Sequence, residues 1–284
     1  MNRAVARMLV ASAIFAAMAT CVGLAQRHDP ALSTFTASAV RSVVNLLVLV
    51  ALSWRNPRSL LGDLRPALWA RGVFGGVALI TYFATIKLLS VGEAAFLNQT
   101  SAVWVALASP WLLGQPVGAP AWVAIAGSLG GMVLLAHPRP GGADTLGRVL
   151  GTLSGLSAAG AYVSVNRASA SNSPVTIVFW FTLVGTVASL MGMAATRAAL
   201  PADPTTLAWL VGAGICATIA QLFMTAAYRD GHAPSIAAAS ATGPLLTTIA
   251  GAFVLDQRPD ERAMVGMAIL LVCSVILPFW SGRR

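Results

Sequence analysis

The sequence predicts an all-α membrane protein in which ten transmembrane helices form two inverted five-helix repeats. Hydrophobic residues make up 57% of the 284 positions and charged residues only 10%, too few to cover a water-facing globule of this length. Apolar stretches follow one another along almost the whole chain, and the second five repeat the rhythm of the first five. The short connections leave no room for a separate soluble domain, so any function must lie within the helical bundle.

Each predicted span meets the length rule for a membrane-crossing helix, which is about 20 mostly apolar residues for about 30 Å of hydrocarbon. All nine acidic residues fall between the spans or at their boundaries, as expected of solvated carboxylates. In chain order, the predicted spans are 4–26, 33–54, 66–88, 94–112, 120–137, 146–167, 174–196, 205–228, 234–255 and 262–280. The acidic residues between them or at their boundaries are Asp29, Asp63, Glu93, Asp144, Asp203, Asp230, Asp256, Asp260 and Glu261.

The two halves align when the chain is shifted by 139 residues. The shift pairs seven identical residues within one 28-residue window: Gly75 with Gly214, Ala78 with Ala217, Ile80 with Ile219, Gly92 with Gly231, Ala94 with Ala233, Ser101 with Ser240 and Ala102 with Ala241. Because each half holds an odd number of spans, the second half must enter the bilayer upside down. We therefore predict one repeat over 1–140 and another over 141–284. A duplication kept only for packing is the alternative.

The charge distribution predicts the orientation. Seventeen arginines and one lysine give a net charge of +9 and lie mainly at helix ends, where they meet anionic lipid headgroups. With the N-terminus in the cytoplasm, ten cationic residues fall on the cytoplasmic side, Arg71 among them, and seven fall outside. We therefore expect both termini in the cytoplasm. No contiguous basic block indicates a nucleic-acid partner.

The fourth span carries the richest group of polar residues at membrane depth. Asn98, Ser101 and Trp104 recur every three residues and so share one helical face, with Gln99 beside them. An amide, a hydroxyl and an indole on one face suit a small ligand that has both hydrogen-bonding and apolar parts. The alternative is that the polar groups bond neighbouring backbones and the indole fills the core.

Further candidates come from other spans. Tyr82 in span three maps onto Gln221 in span eight by the same shift, which suits a site on the repeat axis. Tyr162 in span six and Ser240 in span nine are weaker candidates for the same substrate-binding group. Hydrogen bonding or close packing within the core would explain each of these residues as well.

Arg41 and the Gly243-Pro244 pair are candidates for gating or structural roles. An arginine near the centre of a span costs roughly 2.5 to 3.5 kcal/mol on insertion scales, so Arg41 should face a wet cavity, a carbonyl cluster or a headgroup. It could bind a substrate carboxylate, but we favour a structural or gating role. Pro244 removes a backbone donor within span nine and predicts a kink, which would form a gate hinge or fit a curved bundle.

The chain resembles the drug/metabolite transporter superfamily. The resemblance rests on the ten short spans, the five-plus-five repeat, the segment 157–167 in span six and the Gly-Glu-Ala-Ala sequence at 92–95. The branch it resembles is that of the EamA-type exporters, which includes bacterial inner-membrane exporters of aromatic and hydrophobic amino acids. Arg41 resembles an arginine that the family often carries in its second span. Gln115 and Gln257 depart from the pattern, because many members have glutamate there.

The resemblance implies a secondary transporter that exports small metabolites, amino acids among them, from the cytoplasm across the bacterial inner (plasma) membrane by alternating access. No span has Asp or Glu in its interior, so we expect facilitated transport without tight proton coupling. The alternatives are an exporter of cationic drugs and a non-transporting membrane assembly partner. The sequence leaves open whether the chain acts as a monomer or an oligomer.

The sequence gives no sign of an enzyme. It has no Gly-rich phosphate loop with lysine, no His-Glu-x-x-His and no Gly-x-Ser-x-Gly motif. The three histidines, His28, His137 and His232, are scattered over connections, and the three cysteines lie in separate spans. We therefore expect no metal site and no cofactor.

Overall fold

The computed structural model describes residues 3–112, 119–136, 143–230, 236 and 239–281. Within these residues the chain is helical and contains no strand. Gln115, His137 and His232 lie outside the described residues. The helices are α1 (Arg3–His28), α2 (Thr34–Leu52), a 3-10 turn (Pro57–Leu60), α3 (Pro66–Leu88), α4 (Val91–Gln99), α5 (Ser101–Leu112), α6 (Ala119–Ala136), α7 (Ala143–Ala168), α8 (Pro174–Thr196), α9 (Pro204–Asp230), α10 (Thr242–Val254) and α11 (Glu261–Ser281).

Five of these helices are long and apolar enough to cross a membrane: α1, α2, α3, α8 and α9. The described part of α10 is a shorter apolar helix. Several helices begin where local chemistry dictates. Ser33 and Ser173 accept hydrogen bonds from backbone amides in the first turns of α2 and α8. The prediction of an all-α protein with membrane-spanning helices is therefore confirmed.

The predicted fourth span is not one continuous helix. Thr100 interrupts it between α4 and α5, and the Thr100 backbone N–H donates to Leu97 O at 3.2 Å in a tightened turn. The Thr100 hydroxyl donates to the same carbonyl at 2.6 Å. The α carbon of Gly155 on α7 faces this turn so closely that a Cβ there would contact Thr100 Oγ1 and lie 2.6 Å from Leu97 O. A hydroxyl residue beside a close helix crossing thus explains the interruption.

The predicted kink in span nine takes a different form. α10 begins at Thr242, so Pro244 is its third residue, where no intrahelical partner for a backbone N–H is needed. Residues 239–240 are helical as well, and Ala241 separates them from α10. The predicted span nine is therefore interrupted at Ala241, three residues before Pro244, and Gly243-Pro244 lies in the first turn of the helix that follows.

The packing of α3 in the first half of the chain resembles the packing of α9 in the second half. α3 packs on α7 and α8, while α9 packs on α1 and α2, and α2 packs on α8. A Cβ at Gly72 of α3 would lie 2.5 Å from Val184 of α8, and one at Gly214 of α9 would lie 2.6 Å from Val44 of α2. Gly72 and Gly214 are 142 residues apart, whereas the shift of 139 pairs Gly214 with Gly75, where a Cβ would also contact α8, at Phe181. Repeated packing of this kind is consistent with two repeats.

Candidate functional site

A cavity of about 150 Å³ lies inside the bundle. Helices α1, α2, α3, α4, α7, α8, α9 and α10 all contribute to its wall, so both halves of the chain line it. Its polar lining residues are Ser12, Arg41, Arg71, Tyr82, Asn98, Gln99, Tyr162, Gln221, Ser240 and Thr247. The cavity is smaller than the roughly 300 to 1,000 Å³ of a typical drug-sized site, but about this volume suffices for a benzene-sized molecule.

Six of the eight predicted substrate-binding residues line this cavity, namely Tyr82, Asn98, Gln99, Tyr162, Gln221 and Ser240. Arg41, Gly243 and Pro244, predicted to have gating or structural roles, line it as well. The structure therefore brings together residues from spans two, three, four, six, eight and nine. Their role in binding substrate remains a prediction.

Ser101 and Trp104 are not among the cavity-lining residues. Both follow the interruption at Thr100 and belong to α5. Ser101 is buried, and the Trp104 indole N–H donates to Thr100 Oγ1 at 3.2 Å. The expected continuous face of Asn98, Ser101 and Trp104 is thus divided, because the helix is divided.

The amides of α4 make two cross-helix hydrogen bonds. Asn98 Nδ2 donates to Ser154 Oγ on α7 at 2.7 Å, and that hydroxyl donates to Ala78 O on α3 at 3.0 Å. Gln99 Nε2 donates to Ser240 Oγ at 3.2 Å, which joins the two halves of the chain. Gln99 directly precedes one interruption and Ser240 directly precedes the other. The centre of the cavity is therefore formed where two interrupted helices meet.

Arg71 is a site residue that sequence reasoning missed. It was counted with the cytoplasmic loop arginines, but it lies in α3 and is only 3% exposed. Its position five residues after Pro66 puts it about 7.5 Å inside the helix. Its spacing from Gly75, Ala78 and Tyr82 would have placed all four on one face of α3, and all four line the cavity. That periodicity was the available signal.

Arg71 and Arg41 both lie over the same aromatic ring. The Cζ atoms of Arg41 and Arg71 are 5.3 and 4.2 Å from the centroid of Phe181 on α8. Arg71 Nη2 also donates to Gln221 Oε1 at 3.2 Å. Since both distances end at one ring centroid, the two Cζ atoms can be no farther apart than the distances combined, about 9.5 Å. Each cation–π contact offsets part of the cost of burial.

Among the described residues, the cavity wall carries two positive charges and no carboxylate. Arg41 is 1% exposed, and its Nε and Nη1 atoms have no hydrogen-bond partner among the described residues. At an effective dielectric constant of 20, two unit charges 9.5 Å apart repel each other by about 1.7 kcal/mol. The lining residues include no Asp or Glu that would compensate. The interior of the bundle is therefore electropositive.

Side chains pack closely around Gly23, towards the C-terminal end of α1. A Cβ at Gly23 of α1 would lie 2.6 Å from Leu255 Cδ1 and 3.0 Å from Val91 Cγ1. Val91 N donates to Gln257 Oε1 at 3.0 Å, which joins the start of α4 to the segment after α10. These four residues are absent from the cavity wall. They lie towards the C-terminal end of α1, whereas Met8, near the other end of α1, lines the cavity.

Fold and site together define a polytopic helical membrane protein with a polar internal cavity shared by both halves of the chain. The model of the EamA-like transporter family matches residues 3–136 and again residues 145–279. The chain belongs to this family of transporters. The two matches begin 142 residues apart, the same shift as that between Gly72 and Gly214.

Several curated relatives are similar over much of their length. The pseudopaline exporter CntI of Pseudomonas aeruginosa is 26% identical over 238 residues, which are 84% of this chain and 83% of that protein. A riboflavin transporter of Rhizobium johnstonii is 24% identical over 214 residues, 75% of this chain and 70% of that protein. A protein of known crystal structure has a TM-score of 0.70 at 18% identity over 98% of this chain and 99% of that chain, a likeness of fold. The family and these named relatives are transporters and not enzymes, as the sequence predicted.

Proposed function

We propose that this protein exports small metabolites, amino acids with hydrophobic or aromatic side chains among them, across the bacterial inner membrane. In this proposal ten helices span the membrane as two inverted five-helix repeats, over 1–140 and 141–284. Both termini lie in the cytoplasm. Transport proceeds by alternating access, in which the two repeats exchange conformations around a central site.

The observation that carries the proposal is the cavity lined from both halves. It combines amide, hydroxyl and phenol groups with apolar side chains such as Met8, Phe15 and Met224. Polar groups at membrane depth are costly and mark a pathway by default. In this proposal the close packing around Gly23 and Val91 closes one end of the bundle, as alternating access requires of one end at a time.

The names of the relatives support export as the direction of transport and small organic metabolites as the substrates. One is named as an exporter of pseudopaline, and others are named as riboflavin transporters, so small organic metabolites suit the family's cavity. The volume of about 150 Å³ favours a substrate of amino-acid size in this conformation. Facilitated transport follows from the sequence, since no carboxylate lies within a span to carry a proton.

Flux into liposomes that contain the purified protein tests the proposal. The substrates are radiolabelled L-phenylalanine, L-leucine and L-methionine, with riboflavin added because of the relatives. Saturable flux is expected, and it should be independent of an imposed pH gradient at a fixed substrate gradient. Absence of flux for every compound would contradict the proposal and favour a non-transporting membrane partner.

Matched alanine variants connect the flux to the cavity. Asn98→Ala removes an amide that lines the cavity and bonds Ser154. Asn166→Ala removes the same group from an exposed position on α7. We expect the first substitution to lower flux by about fivefold to 150-fold, on the scale of a lost buried hydrogen bond of about 1 to 3 kcal/mol, and the second to leave it unchanged. Equal effects would refute the assignment of the cavity.

A further inference from the structure

Arg41 and Arg71 present two guanidinium groups to one place in the cavity wall. They come from different helices, α2 and α3, and are 1% and 3% exposed. Their Cζ atoms lie 5.3 and 4.2 Å from the ring centroid of Phe181, so one ring of α8 is shared by both. Guanidinium groups stay protonated in proteins, so the pair is a fixed concentration of positive charge.

Several hydrogen-bond donors of this pair are uncommitted. Arg41 Nε, Arg41 Nη1 and Arg71 Nε are buried and have no acceptor within the described part of the chain. Arg71 Nη2 donates to Gln221 Oε1 at 3.2 Å, and that acceptor is neutral. A buried charge without an opposite charge is strongly unfavourable. The acidic residues of the sequence all lie at helix ends or in connections, and none of them is among the lining residues of the cavity that could compensate the pair.

We propose that Arg41 and Arg71 bind the carboxylate of the transported substrate, so that the protein selects organic acids with a net negative charge. The inference rests on the proposed function, because it names the substrate class of the same cavity. A carboxylate is planar and has two oxygens, which fit the parallel N–H groups of a guanidinium. The apolar part of the substrate would lie against Met8, Phe15 and Met224.

The cavity wall also discriminates between substrates with and without an ammonium group. A primary ammonium group would meet only neutral acceptors, such as the Asn98 and Gln99 carbonyl oxygens, and no carboxylate. It would also be repelled by the two guanidinium groups. An acid without the amino group should therefore bind more tightly than the amino acid of the same shape, and a cation should bind least.

Four probes that share one phenylalkyl body test this selectivity: 3-phenylpropanoate, L-phenylalanine, 3-phenylpropanamide and 3-phenylpropylamine. Their dissociation constants follow from the concentration-dependent rise of the melting temperature of purified protein in detergent. The carboxylate should bind about tenfold to hundredfold more tightly than the isosteric amide, as expected of hydrogen bonds to a charged group. Equal binding of the acid and the amide would overturn the inference. So would equal stabilisation by chloride, which would indicate a site for any small anion.

Glutamine variants locate the selectivity. Arg41→Gln and Arg71→Gln should each remove most of the preference for the acid over the amide. Arg55→Gln makes the same change at an exposed position stacked on Trp54 and should keep the preference. If a glutamine variant does not fold, the corresponding lysine variant keeps the charge without the planar fork and should retain only part of the preference. Unchanged preference in the folded Arg41 and Arg71 variants would refute the assignment.

Flux separates this inference from the proposed function. Flux of L-phenylalanine without any preference for carboxylates would keep transport and refute the anion site. Carboxylate-specific binding without flux of any probe would keep the site and refute transport.

Discussion

Glutamine substitutions at Arg41 and Arg71, made singly and together, would measure the repulsion between two buried charges. Glutamine removes the charge and keeps a polar side chain that can still bond Gln221. The two Cζ atoms are at most about 9.5 Å apart, because both lie over Phe181. At an effective dielectric constant of 20 their repulsion is at least about 1.7 kcal/mol in the absence of a bound anion.

A double-mutant cycle isolates that energy from the other effects of each substitution. Each single substitution relieves the full repulsion, whereas the double substitution relieves it once. The double variant should therefore be less stable than the sum of the single effects predicts, by about 1.7 kcal/mol. Lost contacts with Phe181 enter each single effect and cancel in the cycle to the extent that they are independent.

The free energy of unfolding of each variant can be measured by urea titration in a nonionic detergent free of organic anions. A cycle of Arg55→Gln with Arg71→Gln serves as the control and should be additive, because Arg55 is exposed on Trp54. Additivity of the Arg41 and Arg71 effects within about 0.5 kcal/mol would refute the reasoning. Added 3-phenylpropanoate should reduce the coupling, since a bound anion lies between the two charges.

Three further predictions concern the fold. Gly155→Leu should destabilise the protein by about 1 to 3 kcal/mol in the same titration, because a side chain there meets the interruption of span four. Gly130→Ala, with nothing within 4 Å of the new Cβ, is the control and should be neutral or stabilise the protein by up to about 1 kcal/mol. Ser90→Ala removes the side chain that caps α4 and should cost about 1 kcal/mol, which Ser90→Asp should largely avoid. The hydrogen bond from Ser171 lowers the pKa of the Asp63 carboxyl. The stability that this hydrogen bond contributes is therefore fully present above the unfolded pKa of about 4, and it is lost as the pH falls through the folded pKa. Asp63→Asn should flatten the dependence of the melting temperature on pH in that acid range, and an unchanged slope would contradict the assignment.

Helix positions were largely predictable from the sequence because two signals coincided, apolar length and polar boundaries. The predicted spans 66–88 and 174–196 agree with the bounds of α3 and α8. Both begin at a proline, which is favoured in the first turn of a helix. The interruption at Thr100 was not predictable in this way. It depends on the close approach of Gly155 from α7, a contact between residues distant in the sequence.

The site was predictable in part for a related reason. Asn98, Gln99 and Tyr82 stood out as polar residues in apolar spans, and they line the cavity. Trp104 stood out equally, but its indole bonds the turn at Thr100. Arg71 was assigned to the membrane surface because arginines cluster at helix ends. Sequence alone does not reveal that its side chain turns inward to Phe181 on α8.

The two interrupted helices suggest which contacts persist during transport and which must break. Gln99 and Ser240 each directly precede an interruption, and Gln99 Nε2 donates to Ser240 Oγ at 3.2 Å. In the proposed inverted arrangement this contact joins the two repeats beside the cavity that both line, so both conformations can keep it. The contact of Val91 with Gln257 lies at the closed end and must break when that end opens. In the proposed cycle the contact at the two interruptions is therefore the pivot, and the hydrogen bond between Val91 and Gln257 is a gate.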